Sequence, residues 1–221
     1  MPGHRNHTFF TLKDALKSDT AERNSINNVP GVDKSRFGTL ADSSTIIHNI
    51  KNTFKYLVNP LKLAFPQLAI SSGYRCYDLN SKIKGDSKSK HMYGYAVDIY
   101  DSSCEIPSFD IFKYALINLP NFHQIIWEFP ENGRGKSSFK SNGKVRVNTW
   151  IHIDYILGNN LRKISLASKD SKIHKKFKKD YTNKRGVYTH GLKISDFVYE
   201  TISVPIQTPP TFGIDYGTSL R

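Results

Sequence analysis

An imidazole and a carboxylate stand seven positions apart, His91 and Asp98, in the run Ser89-Lys-His91-Met-Tyr-Gly94-Tyr-Ala96-Val-Asp98. A second imidazole lies far downstream, in Trp150-Ile-His152-Ile-Asp154. Three nitrogen and oxygen ligands with a fourth position open to water are the pattern of a catalytic zinc site, whereas a structural zinc site closes with four ligands, usually rich in Cys. The chain's two cysteines, Cys76 and Cys104, have no finger-like spacing. The chemistry this set could perform is metal-assisted hydrolysis with Zn2+ as cofactor. Taken singly, a His ahead of a glycine turn or an Asp in a strand is more often structural, so the spacing needs support from its surroundings.

The elements that must position these residues form a coarse α+β layout. Thr11-Leu-Lys-Asp14 reads as a helix start, with Thr11 as cap and Asp14 at the third helical position. A longer helix is expected from Asp42-Ser43, because Ile46, Ile47, Ile50, Phe54, Leu57, Val58 and Leu61 recur at three- and four-residue steps. Pro60 should kink or interrupt it. Leu68-Ala-Ile70-Ser reads as a strand delivering Gly73-Tyr-Arg75, and Tyr77 to Ile83 as a helical turn ending at Gly85. Tyr95–Tyr100 reads as a strand and Ser108–Leu119 as an amphipathic helix stopped by Pro120. Two further strands are expected, Gln124–Phe129 and Asn148–Ile156. Between them, Asn132-Gly133 and Asn142-Gly143 signal turns in a polar, hairpin-like excursion carrying Arg134, Lys136, Lys140, Lys144 and Arg146. A solvated loop and a substrate-contacting rim both fit that excursion.

Strand alternation tests the site on its own terms. It puts Trp150, His152 and Asp154 on one face and the intervening isoleucines on the other. Ala96, Asp98 and Tyr100 share a face, as do Gln124, Ile126 and Glu128. A small sheet could therefore aim Asp98, Glu128 and His152 into one cleft.

Several segments in one order closely resemble the zinc D-alanyl-D-alanine carboxypeptidase family, whose fold is shared with the hedgehog signalling domain. They are Ser71-Ser-Gly73-Tyr-Arg75, Leu79-Asn80, Ser89-x-His91-x-x-Gly94-x-Ala96-x-Asp98 and Trp150-Ile-His152. The resemblance runs from about Phe9 to about Lys163. It implies a small antiparallel sheet flanked by helices, a peptidoglycan peptide as substrate, and His91, Asp98 and His152 as zinc ligands. It also implies that Arg75 clamps an anionic or carbonyl group of the substrate, for which a guanidinium's planar fork is suited, with Ser89 as a hydrogen-bond partner. The alternatives for these two are a structural salt bridge and a capping hydroxyl.

An amine leaving group departs poorly unprotonated, so a carboxylate must accept and return a proton. Glu128 is the candidate, from its strand position and from phage-type relatives that place a glutamate in a matching Ile-x-Glu segment. Other relatives carry Glu-x-x-His or a His just before the final ligand, and Arg146-Val-Asn-Thr149 supplies neither. Asp154 could orient an imidazole or simply be a polar sheet residue. His4, His7, His48, His123, His174 and His190 show no comparable constellation and receive no metal role.

Composition sets the remaining bounds. At 221 residues, 38% hydrophobic and 12% aromatic, the chain suits one enzyme-sized domain with an appendage. No apolar run reaches the length that crosses a bilayer, and the start lacks the order of a signal peptide. Synthesis in a host cytoplasm is therefore expected, with free thiols at both cysteines. The net charge of +13 is uneven. Residues 1–161 hold 20 basic and 14 acidic residues, while 162–185 hold ten basic and two acidic. A solvated linker fits that segment, as does an anionic partner: wall polymer, membrane surface or nucleic acid. The expected division is a zinc peptidase domain over 1–165 and a basic linker and tail over 166–221, docking to wall polymer or virion proteins.

The leading expectation is a zinc metallopeptidase cutting peptidoglycan stem or cross-bridge peptides at the bacterial cell wall. A bacteriophage lysin or a virion-associated murein peptidase fits the phage-like resemblance and the lack of a leader. The alternative is a catalytically silent zinc-binding module with a structural or wall-binding role. A nucleic-acid binder is a third class, but no motif of that class is recognisable.

Overall fold

Side-chain capping at Thr11 and Asp42 starts helices where the sequence predicts them. The computed structural model describes residues 9–31, 42–128, 138–142, 144–147, 149–168, 181–183, 186–189 and 192–193. Ahead of α1 (Leu12–Leu16), the Thr11 backbone N–H donates to Asp14 Oδ2 at 2.7 Å, giving a partner to a group no helical carbonyl can reach. Ser18 caps α2 (Asp19–Arg23), and Asp42 caps α3 (Ser43–Thr53) by accepting from the Thr45 N–H at 3.0 Å. The apolar stripe then continues past α3 through one π-helical turn, Phe54–Val58, into α4 (Asn59–Ala64). There the Asn59 N–H reaches back to Phe54 O. The interruption expected at Pro60 takes this form: the ladder widens by one residue just ahead of the proline, which sits in the first turn of α4.

The strands are β1 (Leu68–Ser72), β2 (Ala96–Asp101), β3 (Gln124–Glu128), β4 (Ser138–Ser141), β5 (Lys144–Val147), β6 (Trp150–Asp154), β7 (Lys163–Ser168), β8 (Tyr181–Asn183) and β9 (Gly186–Thr189). Helix α5 (Tyr77–Lys82) follows β1, and α6 (Ser108–Asn118) links β2 to β3. Seven strands make one sheet in the order β1-β2-β6-β3-β7-β9-β8, and β4 and β5 pair as a hairpin. The class is α+β as expected. Every pairing in the sheet is antiparallel except β3 with β7, which run parallel.

Strand β7 crosses the division expected at 165/166 and carries the sheet beyond it. Its site-facing residues Ser165 and Ala167 are buried but small or polar, so the strand lacks a strong apolar signature. The connection from β6 is fastened by Arg162, whose guanidinium donates to Leu116 O, Leu119 O and Pro120 O at the C-terminus of α6. A cation there satisfies carbonyls that have no intrahelical partner. The basic run over 169–180 lies outside the described residues.

Cross-strand register sorts the sheet into two faces. Val97, Ile99, Ile125, Ile151 and Ile153 have no exposed surface and join α6 residues Ile111, Phe112 and Leu116 in the main core. The rings of Phe112 and Trp127 stack there at 5.6 Å. Asp98, Glu128, His152 and Asp154 occupy the opposite face, where His152 is half-buried and the other three are buried. That face is the one that carries chemistry.

Candidate metal centre

His91 is delivered by a short 3-10 turn, Lys90–Tyr93, which ends at Gly94 with φ of +72°. A β-carbon at Gly94 would lie 2.6 Å from the Ile46 carbonyl oxygen, so only glycine lets the chain turn beneath α3. Helix α3 then holds the turn: Asn49 Nδ2 donates to Tyr93 O at 2.9 Å and Thr53 Oγ1 to Tyr95 O at 3.1 Å. The His91 ring is fixed from behind by a 2.7 Å hydrogen bond between Nδ1 and Gly73 O. A carbonyl only accepts, so Nδ1 carries the proton and Nε2 presents its lone pair to the site.

Asp98 on β2 and His152 on β6 are directly paired in register. The three inward atoms lie close together: His152 Nδ1 to Asp98 Oδ1 is 2.9 Å, His91 Nε2 to Asp98 Oδ1 is 3.2 Å, and His91 Nε2 to His152 Nδ1 is 3.3 Å. A tetrahedral zinc with bonds of about 2.0–2.1 Å keeps its ligand atoms about 3.3 Å apart. The donor types and their separations fit such an ion, and the backbone carbonyl behind His91 is the usual support of a metal-binding imidazole.

The electrostatics agree. Burial, helped by the nearby charge of Arg75, lowers the His91 pKa to about 4 and keeps the ring neutral. Burial opposes charge on His152, but the Asp154 and Asp98 carboxylates on either side of the ring outweigh it and raise its pKa to about 10. Burial likewise opposes ionisation of Asp98, yet His91, His152 and Arg75 together hold its carboxyl well below the usual range. Without a metal, the proton on His152 sits between two carboxylates. A metal cation answers the same negative charge.

Arg75 is buried, and its Nη2 donates to Asp98 Oδ2 at 2.7 Å while Nε donates to Ser72 Oγ at 2.7 Å. The guanidinium thus orients the Asp98 carboxylate, turning Oδ1 toward the two imidazoles. Asn28 braces the arginine's loop by donating to Leu16 O and Tyr74 O and accepting from the Cys76 N–H. Nothing in its local sequence marks Asn28 for that role, since its partners are 12 to 48 positions away. Ser89 stands half-buried at the start of the 3-10 turn, its N–H donating to Asp86 O.

Glu128 is buried on the same sheet face. It pairs with Trp150, while Ile126 pairs with His152, so Glu128 is a diagonal cross-strand neighbour of His152. Its carbonyl accepts from Thr149 Oγ1. The structure gathers His91, Asp98, His152 and Arg75 into direct contact and sets Glu128 two register pairs away along the strand. Ser138–Ser141 and Lys144–Val147 of the excursion pair as the β4–β5 hairpin, with Asn142 at its turn, and Asn132, Gly133, Arg134, Lys136 and Gly143 lie outside the described residues. Both cysteines are free, as expected.

His123, given no metal role from the sequence, joins the same network. Its Nδ1 is 2.7 Å from Asp154 Oδ1, and Asp154 Oδ2 is 3.6 Å from His152 Nε2. Only the register between β3 and β6 puts His123 beside Asp154, and register is not legible in either strand alone.

Compared with known proteins, the chain matches the Peptidase M15 family model over residues 31–114. The family read from the sequence, that of the zinc D-alanyl-D-alanine carboxypeptidases, is the one matched. The matched span holds Arg75, Ser89, His91 and Asp98 and ends before Glu128 and His152; the sheet register pairs His152 with Asp98 and sets Glu128 diagonal to His152. No curated protein matches the chain. The match supports a metallopeptidase, with a peptide as substrate. No described helix is long and apolar enough to cross a membrane.

Proposed function

We propose that the protein is a zinc peptidase that hydrolyses a peptide bond in peptidoglycan stem or cross-bridge peptides, acting at the bacterial cell wall as a bacteriophage lysin or virion-associated murein peptidase. The observation that carries the zinc reading is the spacing of His91 Nε2, Asp98 Oδ1 and His152 Nδ1 at 2.9–3.3 Å on rigid, buried supports. These three side chains would hold the ion, which when bound supplies Lewis-acid polarisation of a carbonyl and lowers the pKa of water to about 7.

The remaining steps belong to the chain's own residues. Glu128 accepts a proton from the attacking water and returns it to the departing amine nitrogen. Arg75 holds Asp98 in place and keeps positive charge beside the site, where a peptide carboxylate or carbonyl can dock. Ser89 lies at the lip of the turn as a hydrogen-bonding hydroxyl. A buried glutamate on the ligand face favours turnover over a silent zinc-binding module.

Purified peptidoglycan digested with zinc-loaded protein and analysed by mass spectrometry tests this reading. Release of defined stem or cross-bridge fragments, absent after chelation, is the expected result. Unaltered muropeptides would contradict the assigned substrate.

A further inference from the structure

We propose that His123 is a positioning residue of the metal centre, holding His152 in its ligating orientation through Asp154. The proposal rests on the zinc reading above and extends it to a residue that does not touch the ion. His123 and Asp154 are joined twice. The His123 backbone N–H donates to Asp154 O at 2.9 Å, and the His123 ring Nδ1 meets Asp154 Oδ1 at 2.7 Å. Asp154 has no exposed surface, and His123 is 7% exposed, so neither group has bulk water as an alternative partner.

The second carboxylate oxygen makes the case. Asp154 Oδ2 is fully buried with no hydrogen-bond partner, and it points at His152 Nε2 from 3.6 Å. A buried carboxylate oxygen left without a donor is unfavourable, and Nε2–H is the donor in front of it. Nδ1 of the same ring is the atom that faces Asp98 and His91. A proton held on Nε2 by Asp154 therefore leaves the Nδ1 lone pair for the metal, the tautomer the centre requires. His123 fixes the plane of that carboxylate. Without its Nδ1–H, Oδ1 would compete for the same donor and the ring could tilt away from Asp98. The result is a buried series in which His123 sets Asp154, Asp154 sets His152, and His152 completes the ligand set.

The test uses zinc affinity, read by competition with a chromophoric chelator, in His123→Leu, His123→Asn and Asp154→Asn, and in the His123→Leu/Asp154→Asn pair. The Asn amide nitrogen occupies the place of Nδ1, so His123→Asn should stay within a few-fold of wild type. His123→Leu should weaken zinc by about ten- to a hundred-fold, the usual range for losing a group that orients a ligand. Combined with Asp154→Asn it should add little, because both act through one carboxylate. The cobalt-substituted protein should show an altered visible spectrum in His123→Leu and a wild-type one in His123→Asn. If His123→Leu does not fold, His123→Gln takes its place, since its amide sits where Nε2 was and cannot make the contact. Wild-type affinity in the Leu or Gln variant, or losses that multiply in the pair, would overturn the proposal. His152→Ala serves as control: zinc retained at full affinity there would defeat the site itself, and the role of His123 with it.

Discussion

Asp98 and His152 face each other across two adjacent antiparallel strands, paired in register, with Oδ1 and Nδ1 2.9 Å apart. Residues paired across a sheet point to the same face and are held by the ladder on both sides. Two of the three proposed ligands thus share one rigid frame, and the third, His91, arrives from outside the sheet. A site preorganised in this way needs little rearrangement to take an ion.

Each of the three ligands should then be indispensable. His91→Ala, Asp98→Ala and His152→Ala should each reduce zinc from about one ion per chain to a small fraction, measured by elemental analysis after dialysis. Full retention in all three variants would place the metal elsewhere.

Arg75 should matter to folding as well as to activity. Removing one member of a buried ion pair typically costs about 3–5 kcal/mol. Arg75→Met should approach the lower end, because His152 still bonds Asp98. Added zinc should recover part of the loss by supplying positive charge to Asp98 in the folded state alone. Chemical denaturation with and without zinc checks this, and a variant as stable as wild type would remove the orienting role.

Gly94 offers a purely steric test. Its positive φ and the nearby Ile46 carbonyl leave no room for a β-carbon. Gly94→Ala should destabilise the protein by about 1–3 kcal/mol, the usual cost of a strained backbone. Zinc affinity should fall too, since the turn carries His91. An unchanged melting temperature would mean that α3 yields easily.

Acid should weaken the end of β2. Burial pushes the Asp101 carboxyl up, but the Ser103 hydroxyl and the N–H groups of Ile106, Glu105 and Ser103 outweigh it and hold its pKa below the ordinary value. A depressed carboxylate contributes stability that is present above its unfolded pKa of about 3.9 and lost as pH falls through the folded value. Asp101→Asn should therefore be less stable by about 1–2 kcal/mol at pH 7. The gap should close below about pH 3–4, as urea titrations across that range would reveal. A constant difference at all pH values would contradict the assignment.

Much of this centre is legible in the sequence because it is written in local patterns. Alternation in Trp150–Asp154, Ala96–Asp101 and Gln124–Glu128 separates Asp98, Glu128 and His152 from core isoleucines, and the register bears that separation out. The caps at Thr11 and Asp42 are spacing signals and appear where expected. The parallel strand β7 was not legible, since Ser165 and Ala167 weaken its apolar alternation and its partner β3 is nearly forty positions away. The sequence offers Arg75 a substrate clamp or a structural salt bridge, and the partner in its ion pair, Asp98, depends on how β1 and β2 come together. Asn28 and His123 act through partners distant in sequence, and no local pattern could announce them.

The most direct test of the account is Glu128→Gln, assayed for zinc content and peptide release on one preparation. The amide keeps the size and most of the hydrogen bonding of the carboxylate but cannot accept a proton. Zinc stoichiometry and melting temperature should stay near wild type, while the rate of peptide release falls by about two to four orders of magnitude, the usual contribution of general acid–base catalysis. Wild-type hydrolysis by the variant, or loss of zinc in step with rate, would contradict the role of Glu128 as the group that moves the proton.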